Sequence, residues 1–268
     1  MDLVIDVGNS NLDCGVFSSQ PGARNLLAHF RLSTPSVVTT DELAVTFRDL
    51  LHYNRIDAGG IRRTIFSSVV PPLNHNITKM MGNYFKQGAM GVTQVTTAMF
   101  KDWTIRYEKP DSLGIDRLVN LKAALALHGG PVIVVDFGTA TTVDAVGTER
   151  DFRGGLIIPG VAISLDNLVR RTSQLPRIEL DWPKRLLGNS TREAMQNGVY
   201  WLNSYGVDAI IARIRDEEFG GAPVQVIGTG GLSNFIARGS RQNMVVEPHL
   251  MLLGLKMLLD ENSPQNGD

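Results

Sequence analysis

Val132-Ile-Val-Val-Asp-Phe-Gly-Thr-Ala-Thr-Thr-Val-Asp-Ala-Val146 predicts the fold, because it repeats an arrangement already present at the start of the chain. There, Leu3-Val-Ile-Asp-Val-Gly-Asn-Ser-Asn-Leu-Asp-Cys-Gly-Val16 has the same order of apolar strand, Asp-x-Gly, polar turn and returning strand. Each copy is typical of a β-hairpin. Asp6 and Asp136 lie 130 residues apart, close to half of the 268-residue chain. A repeat at that distance predicts two related α/β domains, which we place at residues 1–112 and 113–268.

Strands and helices are expected in alternation around the two hairpins. Further strands are predicted at 28–34, 63–69, 91–96 and 224–228, and helices near 41–54, 74–85, 113–127, 161–171, 191–218 and 248–259. Thr40 is expected to open the first helix. Pro71-Pro72 should end a strand, and Gly154-Gly155 and Pro159-Gly160 should break the strand that follows the second hairpin.

Composition favours a small-molecule ligand over a nucleic acid or a membrane. The 26 basic and 27 acidic residues leave no basic surplus of the kind that phosphate backbones and anionic lipids attract. No apolar run approaches the ~20 residues that span a bilayer, and acids at positions 2 and 6 argue against a secretory signal. The single cysteine, Cys14, excludes an internal disulfide and fits the reducing cytoplasm.

Both Asp-x-Gly turns carry groups suited to phosphate chemistry. Glycine lets a ligand approach the backbone, whose N–H groups can bind phosphate oxygens, and an aspartate at the strand end can hold Mg²⁺ beside them. One copy alone is equally well explained as an ordinary hairpin turn. Two copies half a chain apart, with Thr229-Gly-Gly231 after a later strand, favour phosphate binding. A Gly-x-x-x-x-Gly-Lys-Ser/Thr motif is absent, and the five histidines have no paired spacing that would suggest zinc.

The sequence resembles the type III pantothenate kinases. The resemblance rests on six stretches in the family's order: Asp6-Val-Gly-Asn-Ser-Asn11, Phe66-Ser-Ser-Val-Val-Pro-Pro72, Gly114-Ile-Asp-Arg117, Asp136-Phe-Gly-Thr-Ala-Thr-Thr142, Gly155-Leu-Ile-Ile-Pro-Gly160 and Thr229-Gly-Gly231. It implies two actin-like (ribonuclease H-like) domains of the sugar kinase, heat-shock chaperone and actin superfamily, with an ATP cleft between them. It also implies phosphorylation of pantothenate by ATP with Mg²⁺, the first step of coenzyme A synthesis, and a homodimer.

The resemblance also implies a role for individual residues. The first phosphate loop would comprise Asp6, Val7, Gly8, Asn9, Ser10, Asn11, Leu12 and Asp13, with Thr139 from the second loop and Thr229-Gly-Gly231 as the adenosine motif. Pantothenate would be bound by Gly114, Ile115, Asp116, Arg117, Tyr107 and Thr191. Asp116 matches the proton acceptor, Asp6 lies beside Mg²⁺, and Asp136 matches a ligand of K⁺ or NH₄⁺. Ser10 stands where the family usually has Thr, and Ile115 where it usually has Ala.

Other interpretations remain open. Asp116-Arg117 would also suit a solvated pair in the first turn of a helix, where an acid is favoured. Asp136 would also suit a residue that orients water around Mg²⁺. Some family members are described as accessory transcription factors, from which an intact set of Asp6, Asp116 and Asp136 distinguishes this chain. A chaperone-like or sugar-kinase ATPase would share the phosphate loops but lack the Gly-x-Asp-Arg quartet.

Overall fold

The first hairpin belongs to a five-stranded sheet in the computed structural model, which describes residues 1–20, 22, 24–85 and 91–262. The strands are β1 Asp2–Val7, β2 Asn11–Phe17, β3 Leu26–Ser33, β4 Arg63–Ser68 and β5 Val92–Gln94. They are ordered β3-β2-β1-β4-β5, with β1, β2 and β3 antiparallel and β4 and β5 continuing from β1 in parallel. The predicted hairpin is therefore confirmed.

The second hairpin belongs to a six-stranded sheet. Its strands are β6 Thr104–Ile105, β7 Val132–Phe137, β8 Ala140–Val146, β9 Asp151–Pro159, β10 Gln225–Thr229 and β11 Met244–Val246. They are ordered β11-β10-β7-β8-β9-β6. Here β7, β8 and β9 are antiparallel, whereas β10 and β11 continue from β7 in parallel and the short β6 pairs with β9.

The two sheets repeat one topology. Strands β9-β8-β7-β10-β11 have the order and directions of β3-β2-β1-β4-β5, and only β6 is extra. Asp6 and Asp136 occupy the same place, one residue before the end of the central strand. Asp6 pairs in register with Ser67 on its parallel neighbour, and Asp136 pairs with Thr229. The internal repeat in the sequence thus corresponds to a repeat of the fold.

Helices cover the sheets because their apolar stripes match the buried strand residues. They are α1 Thr40–Tyr53, α2 Pro71–Tyr84, α3 Ile115–His128, α4 Val161–Arg170, α5 Thr191–Phe219, α6 Ser233–Ala237 and α7 Leu250–Glu261. Leu3 and Ile5 of β1 share a core with α1 and α2. On the other face of that sheet, Asp2 forms a buried ion pair with Lys256 of α7 at 3.2 Å. No helix in the described part of the chain combines the length and apolarity needed to cross a bilayer.

The described residues form two compact units that interleave along the chain. The first takes the described residues of Met1–Asp102, Lys109–Ala123 and Leu250–Asp268, and the second takes Trp103–Glu108 and Ala124–His249. Each unit contains one of the two repeated sheets. The predicted boundary between residues 112 and 113 divides the chain once, whereas these units alternate, so that α7 lies with β1.

Several local predictions need correction. The cap of α1 is Thr39, whose hydroxyl accepts from the Glu42 N–H, and Thr40 is already helical. Pro71 and Pro72 begin α2 rather than merely ending a strand, because proline needs no hydrogen bond in the first helical turn. Strand β9 continues through Gly154-Gly155 and reaches Pro159, since antiparallel pairing with β8 keeps these residues extended. Strands β6 and β11 were not predicted because two or three residues carry too little periodicity.

Candidate functional site

The first candidate loop is the turn between β1 and β2. The Gly8 N–H donates to the Asn11 carbonyl at 3.0 Å, and a Cβ added to Gly8 would lie 3.1 Å from that same oxygen. Glycine is therefore the residue that fits this tight turn. Asn9, Ser10 and Asn11 are exposed at its tip. The loop consequently presents backbone and short polar side chains, as a phosphate-binding turn requires.

The other predicted members of this loop have different surroundings. Val7 and Leu12 are fully buried in the core, so only their backbone groups can serve a ligand. Asp6 is partly buried, and the Ser67 hydroxyl donates to its Oδ1 at 2.6 Å. Asp13, which pairs with Asp6 across the hairpin, accepts from Arg31 Nη2 at 3.0 Å and contacts His29 Nε2 at 2.7 Å.

Asp116 lies in the first turn of α3, where its carboxylate folds back against the helix start. Its Oδ1 accepts from the Arg117 N–H at 2.9 Å. A Cβ on Gly114 would lie 2.5 Å from that same oxygen, so glycine at this position lets the carboxylate approach the backbone. Burial raises the pKa of Asp116, although the Arg117 N–H and guanidinium act in the opposite direction. The result is a desolvated carboxylate with more basic character than an exposed aspartate.

Arg117 is also buried, with only 6% of its surface exposed. A solvated pair on a helix surface would leave both side chains in water, whereas Arg117 is buried and Asp116 is partly buried. Arg117 is therefore not a solvated side chain on a helix surface. Buried charges of this kind are retained where they bind a partner or do chemistry.

The second candidate loop, at Gly138-Thr139 between β7 and β8, lies against two other loops of the same unit. A Cβ on Gly160 would lie 2.8 Å from the Gly138 carbonyl oxygen and would overlap the Thr139 carbonyl. A Cβ on Gly230 would lie 2.7 Å from the carbonyl carbon of Phe137 and closer still to Asp136 Oδ1. These glycines bring the start of α4 and the turn after β10 against the hairpin turn. Thr139 itself is exposed.

The turn after β10 is held in shape by its own hydrogen bonds. The Thr229 hydroxyl donates to the Glu247 carbonyl at 2.8 Å, and the Ser233 hydroxyl donates to the Gly230 carbonyl at 2.7 Å. Gly230 has φ of +87°, a conformation that side chains other than glycine rarely adopt. The predicted adenosine motif and second phosphate loop are thus adjacent, with Asp136 between them.

Tyr107 and Thr191 lie in looser surroundings. Tyr107 is 38% exposed, and its ring centre lies 6.1 Å from that of Phe152. Thr191 is the exposed first residue of α5, directly after the capping residue Ser190. A Cβ on Gly188 would lie 2.5 Å from the Ala194 N, so this glycine lets the preceding loop approach the helix start. Both side chains are exposed and can therefore contact a ligand.

Sequence reasoning missed two residues that support the first loop. Ser67 binds Asp6, and Thr34 binds the loop backbone through both its hydroxyl and its N–H. Ser67 lies within Phe66–Pro72, a stretch that resembles the family but to which the resemblance assigned no role. The sequence offers one signal for Thr34: this residue ends a predicted strand and directly precedes Pro35, which favours an extended conformation.

Metal ligands are sparse. Across residues 1–20, 22, 24–85 and 91–262, no three His, Cys, Asp or Glu side chains are grouped so that they would hold a metal together. A cation at Asp6 or Asp136 would therefore need further oxygens from the backbone, water or nucleotide phosphates. Carboxylate oxygen suits Mg²⁺ and K⁺, which prefer hard donors.

Comparison with known proteins agrees with this arrangement. A family model for type III pantothenate kinase matches residues 2–213. The type III pantothenate kinase of Koribacter versatilis is 39% identical over 269 residues, covering 98% of this chain and 96% of that protein.

Two solved structures are similar along nearly the whole chain. A Campylobacter jejuni protein, provisionally described as a Baf family transcriptional activator, has a TM-score of 0.59 and 20% identity, covering 97% of this chain and 98% of that one. A Sinorhizobium meliloti protein, provisionally described as a 2-dehydro-3-deoxygalactonokinase, has a TM-score of 0.59 and 12% identity, covering 100% of this chain and 99% of that one. At such identities the likeness concerns the fold alone, and it confirms the predicted actin-like kinase fold.

Proposed function

The chain belongs to the type III pantothenate kinase family, and from that premise we propose that it transfers the γ-phosphate of ATP to pantothenate, giving 4'-phosphopantothenate. The observation that carries the proposal is the partly buried Asp116 carboxylate, whose pKa desolvation raises, beside buried Arg117 within the family's substrate quartet. An ATPase on the same fold would need the two phosphate loops but would not need Asp116 and Arg117.

Asp116 acts as the proton acceptor. As the primary alcohol oxygen of pantothenate attacks the γ-phosphorus, the hydroxyl proton passes to the carboxylate and the bond from the γ-phosphorus to the β-bridging oxygen breaks, releasing ADP. Burial favours this role because it raises the pKa of Asp116 and so strengthens the base. The Arg117 N–H holds Oδ1 in place, which leaves the other oxygen to orient the alcohol.

Arg117 binds the carboxylate of pantothenate. A guanidinium can pair with a carboxylate through two parallel hydrogen bonds, and burial strengthens the pair because water competes less. Tyr107 and Thr191 add hydroxyl contacts, and Ile115 narrows the pocket relative to the usual alanine. These four positions are carried over from the family by their sequence motifs.

ATP phosphates bind to backbone N–H groups of the two glycine-containing loops, at Gly8–Asn11 and Gly138–Thr139. Glycine fits this role at both turns, because the absence of a side chain leaves the backbone N–H groups accessible to a ligand. Mg²⁺ bound with the nucleotide supplies charge neutralisation during phosphoryl transfer. Asp6 would lie beside it, and Asp136 would hold K⁺ or NH₄⁺. This cation is carried over from the family at the matching aspartate, and it would offset part of the negative charge of the nucleotide phosphates.

A second copy of the chain is the partner we propose, in keeping with the family. Apolar side chains are exposed on β9 and α5 of the same unit: Leu156 is 42% exposed, Ile157 is 65% exposed and Leu202 is 72% exposed. A groove of about 420 Å³ runs between these two elements. We expect a mass of twice 29.3 kDa in sedimentation equilibrium and a monomer for Leu202→Glu. We place the enzyme in the cytoplasm, where its buried free thiol Cys14 is stable.

A panel of alcohols tests the proposed function. The chain, Mg²⁺·ATP and KCl are incubated with pantothenate, N-acetylmannosamine, galactonate derivatives or no acceptor, and ADP release is followed. Pantothenate should raise the rate well above every other arm. Equal ADP release in all arms would indicate an ATPase, and no nucleotide turnover at all would favour the accessory transcription factor.

A further inference from the structure

Thr34 follows the end of β3 and extends its pairing with β2 by one residue. The register pairs Asn11 with Ser33, and the Thr34 N–H then donates to the Ser10 carbonyl at 2.9 Å. Pro35 follows, which restricts Thr34 to an extended conformation and offers no N–H of its own. The sheet therefore ends with Thr34 directly beside the turn between β1 and β2.

Thr34 binds this turn a second time through its side chain. Its hydroxyl donates to the Gly8 carbonyl at 2.6 Å. One residue thus fixes the direction of two carbonyl groups in a turn of three residues, Gly8 to Ser10. A further backbone bond in the turn joins the Gly8 N–H to the Asn11 carbonyl at 3.0 Å.

The direction of a carbonyl determines the direction of the next N–H. In a trans peptide the C=O and N–H groups point in opposite directions, and the only cis bond among the described residues is Gly130–Pro131. Because Thr34 draws the Gly8 and Ser10 carbonyls toward β3, the Asn9 and Asn11 N–H groups point away from it. Those two N–H groups are donors of the kind that bind phosphate oxygens.

We propose that Thr34 is the positioning residue of the first phosphate loop: it holds two loop carbonyls so that the Asn9 and Asn11 N–H groups face the nucleotide phosphates. The proposal rests on the proposed function for the identity of the ligand. Without the hydroxyl, the Gly8–Asn9 peptide is free to rotate and turn a carbonyl oxygen toward the phosphates. That rotation would replace an attraction with a repulsion.

The test compares Thr34→Val, which keeps the shape but removes the hydroxyl, with Thr34→Ser, which keeps the hydroxyl. The matched control is Thr46→Val, which removes a bond of the same type, from an exposed hydroxyl on α1 to the Glu42 carbonyl at 2.9 Å. Binding of Mg²⁺·ADP and of adenosine is measured by calorimetry without pantothenate. Loss of one hydrogen bond to the loop should weaken ADP binding about tenfold in Thr34→Val.

Adenosine should bind Thr34→Val as it binds the wild type, and Thr34→Ser and Thr46→Val should bind ADP within about twofold of the wild type. Steady-state kinetics should show the KM for ATP rising while that for pantothenate stays unchanged. Unchanged ADP affinity in Thr34→Val, or equal weakening of adenosine, would overturn the proposal. Thr34→Ala provides a second measurement should valine impair folding, and it should reproduce the loss. Because these titrations omit pantothenate, a wild type that binds ADP but fails to phosphorylate pantothenate would refute the proposed function separately.

Discussion

Gly230→Ala should damage the second phosphate loop by an amount that the structure allows us to estimate. Gly230 lies in the turn after β10 with φ of +87°. A Cβ at this position would lie 2.7 Å from the carbonyl carbon of Phe137, 2.8 Å from the Phe137 N, and closer still to Asp136 Oδ1. Backbone atoms cannot rotate away as a flexible side chain can, so the turn or the hairpin must shift.

The expected cost has two parts. A side chain at positive φ costs about 1 kcal/mol. Forcing a methyl group against packed backbone costs about 2 kcal/mol more, within the range for overpacking. We therefore expect the free energy of unfolding to fall by about 3 kcal/mol. The KM for ATP should also rise at least tenfold, because the shift moves Asp136 and the turn at Gly138.

Gly129→Ala is the matched control. Gly129 has φ of +69° in the same unit, and a Cβ there would meet nothing within 4 Å. Gly129→Ala should lower the free energy of unfolding only by the conformational part, about 1 kcal/mol, and leave the KM for ATP unchanged. Urea denaturation followed by tryptophan fluorescence and steady-state kinetics measure the two effects. Equal losses in the two variants would refute the reasoning, because the clash with Phe137 and Asp136 would then have no consequence.

Four further predictions concern the chemistry. Asp116→Asn should fold and bind ATP, but its kcat should be lower by a factor of about 10²–10⁴, because the amide cannot accept the proton. A near-normal kcat would remove Asp116 from the mechanism. Since burial raises the pKa of Asp116, wild-type kcat/KM should fall as the pH drops through a pKa higher than the usual value of an aspartate, and an acidic limb at or below that usual value would contradict this. Arg117→Lys should raise the KM for pantothenate about tenfold more than the KM for ATP, and an equal rise in both would assign Arg117 to the nucleotide or the fold. Activity in Na⁺-only buffer should be low and rise saturably with KCl at constant ionic strength, less so in Asp136→Asn; full activity without K⁺ or NH₄⁺ would exclude the monovalent site.

The repeat of the fold was predictable because it is encoded locally. The two Asp-x-Gly hairpins combine apolar strands with a polar turn, and such patterns depend on the residues of one segment. The structure places Asp6 and Asp136 at equivalent ends of equivalent strands, as the repeat implied. The turn of the hairpin differs between the copies, being shorter by one residue in the second.

Contacts between distant segments were not predictable in this way. Thr34 reaches Gly8 only because the register of β2 and β3 places them side by side, and no local pattern near Thr34 specifies that register. The same holds for Gly230, whose need for glycine arises from Phe137, and for α7, whose Lys256 pairs with Asp2 at the other end of the chain. The family resemblance identified Asp116 and Arg117, but the burial of Arg117 and the desolvation that raises the pKa of Asp116 became evident only in the structure.

The most direct test of the central claim is a ³¹P NMR time course of the chain with ATP, Mg²⁺, KCl and pantothenate. We predict that a phosphate monoester resonance, matching authentic 4'-phosphopantothenate, grows in step with the β-phosphate of ADP. Asp116→Asn should suppress both signals together. Growth of inorganic phosphate in place of the monoester, at the same rate with and without pantothenate, would contradict the claim and identify the chain as an ATPase.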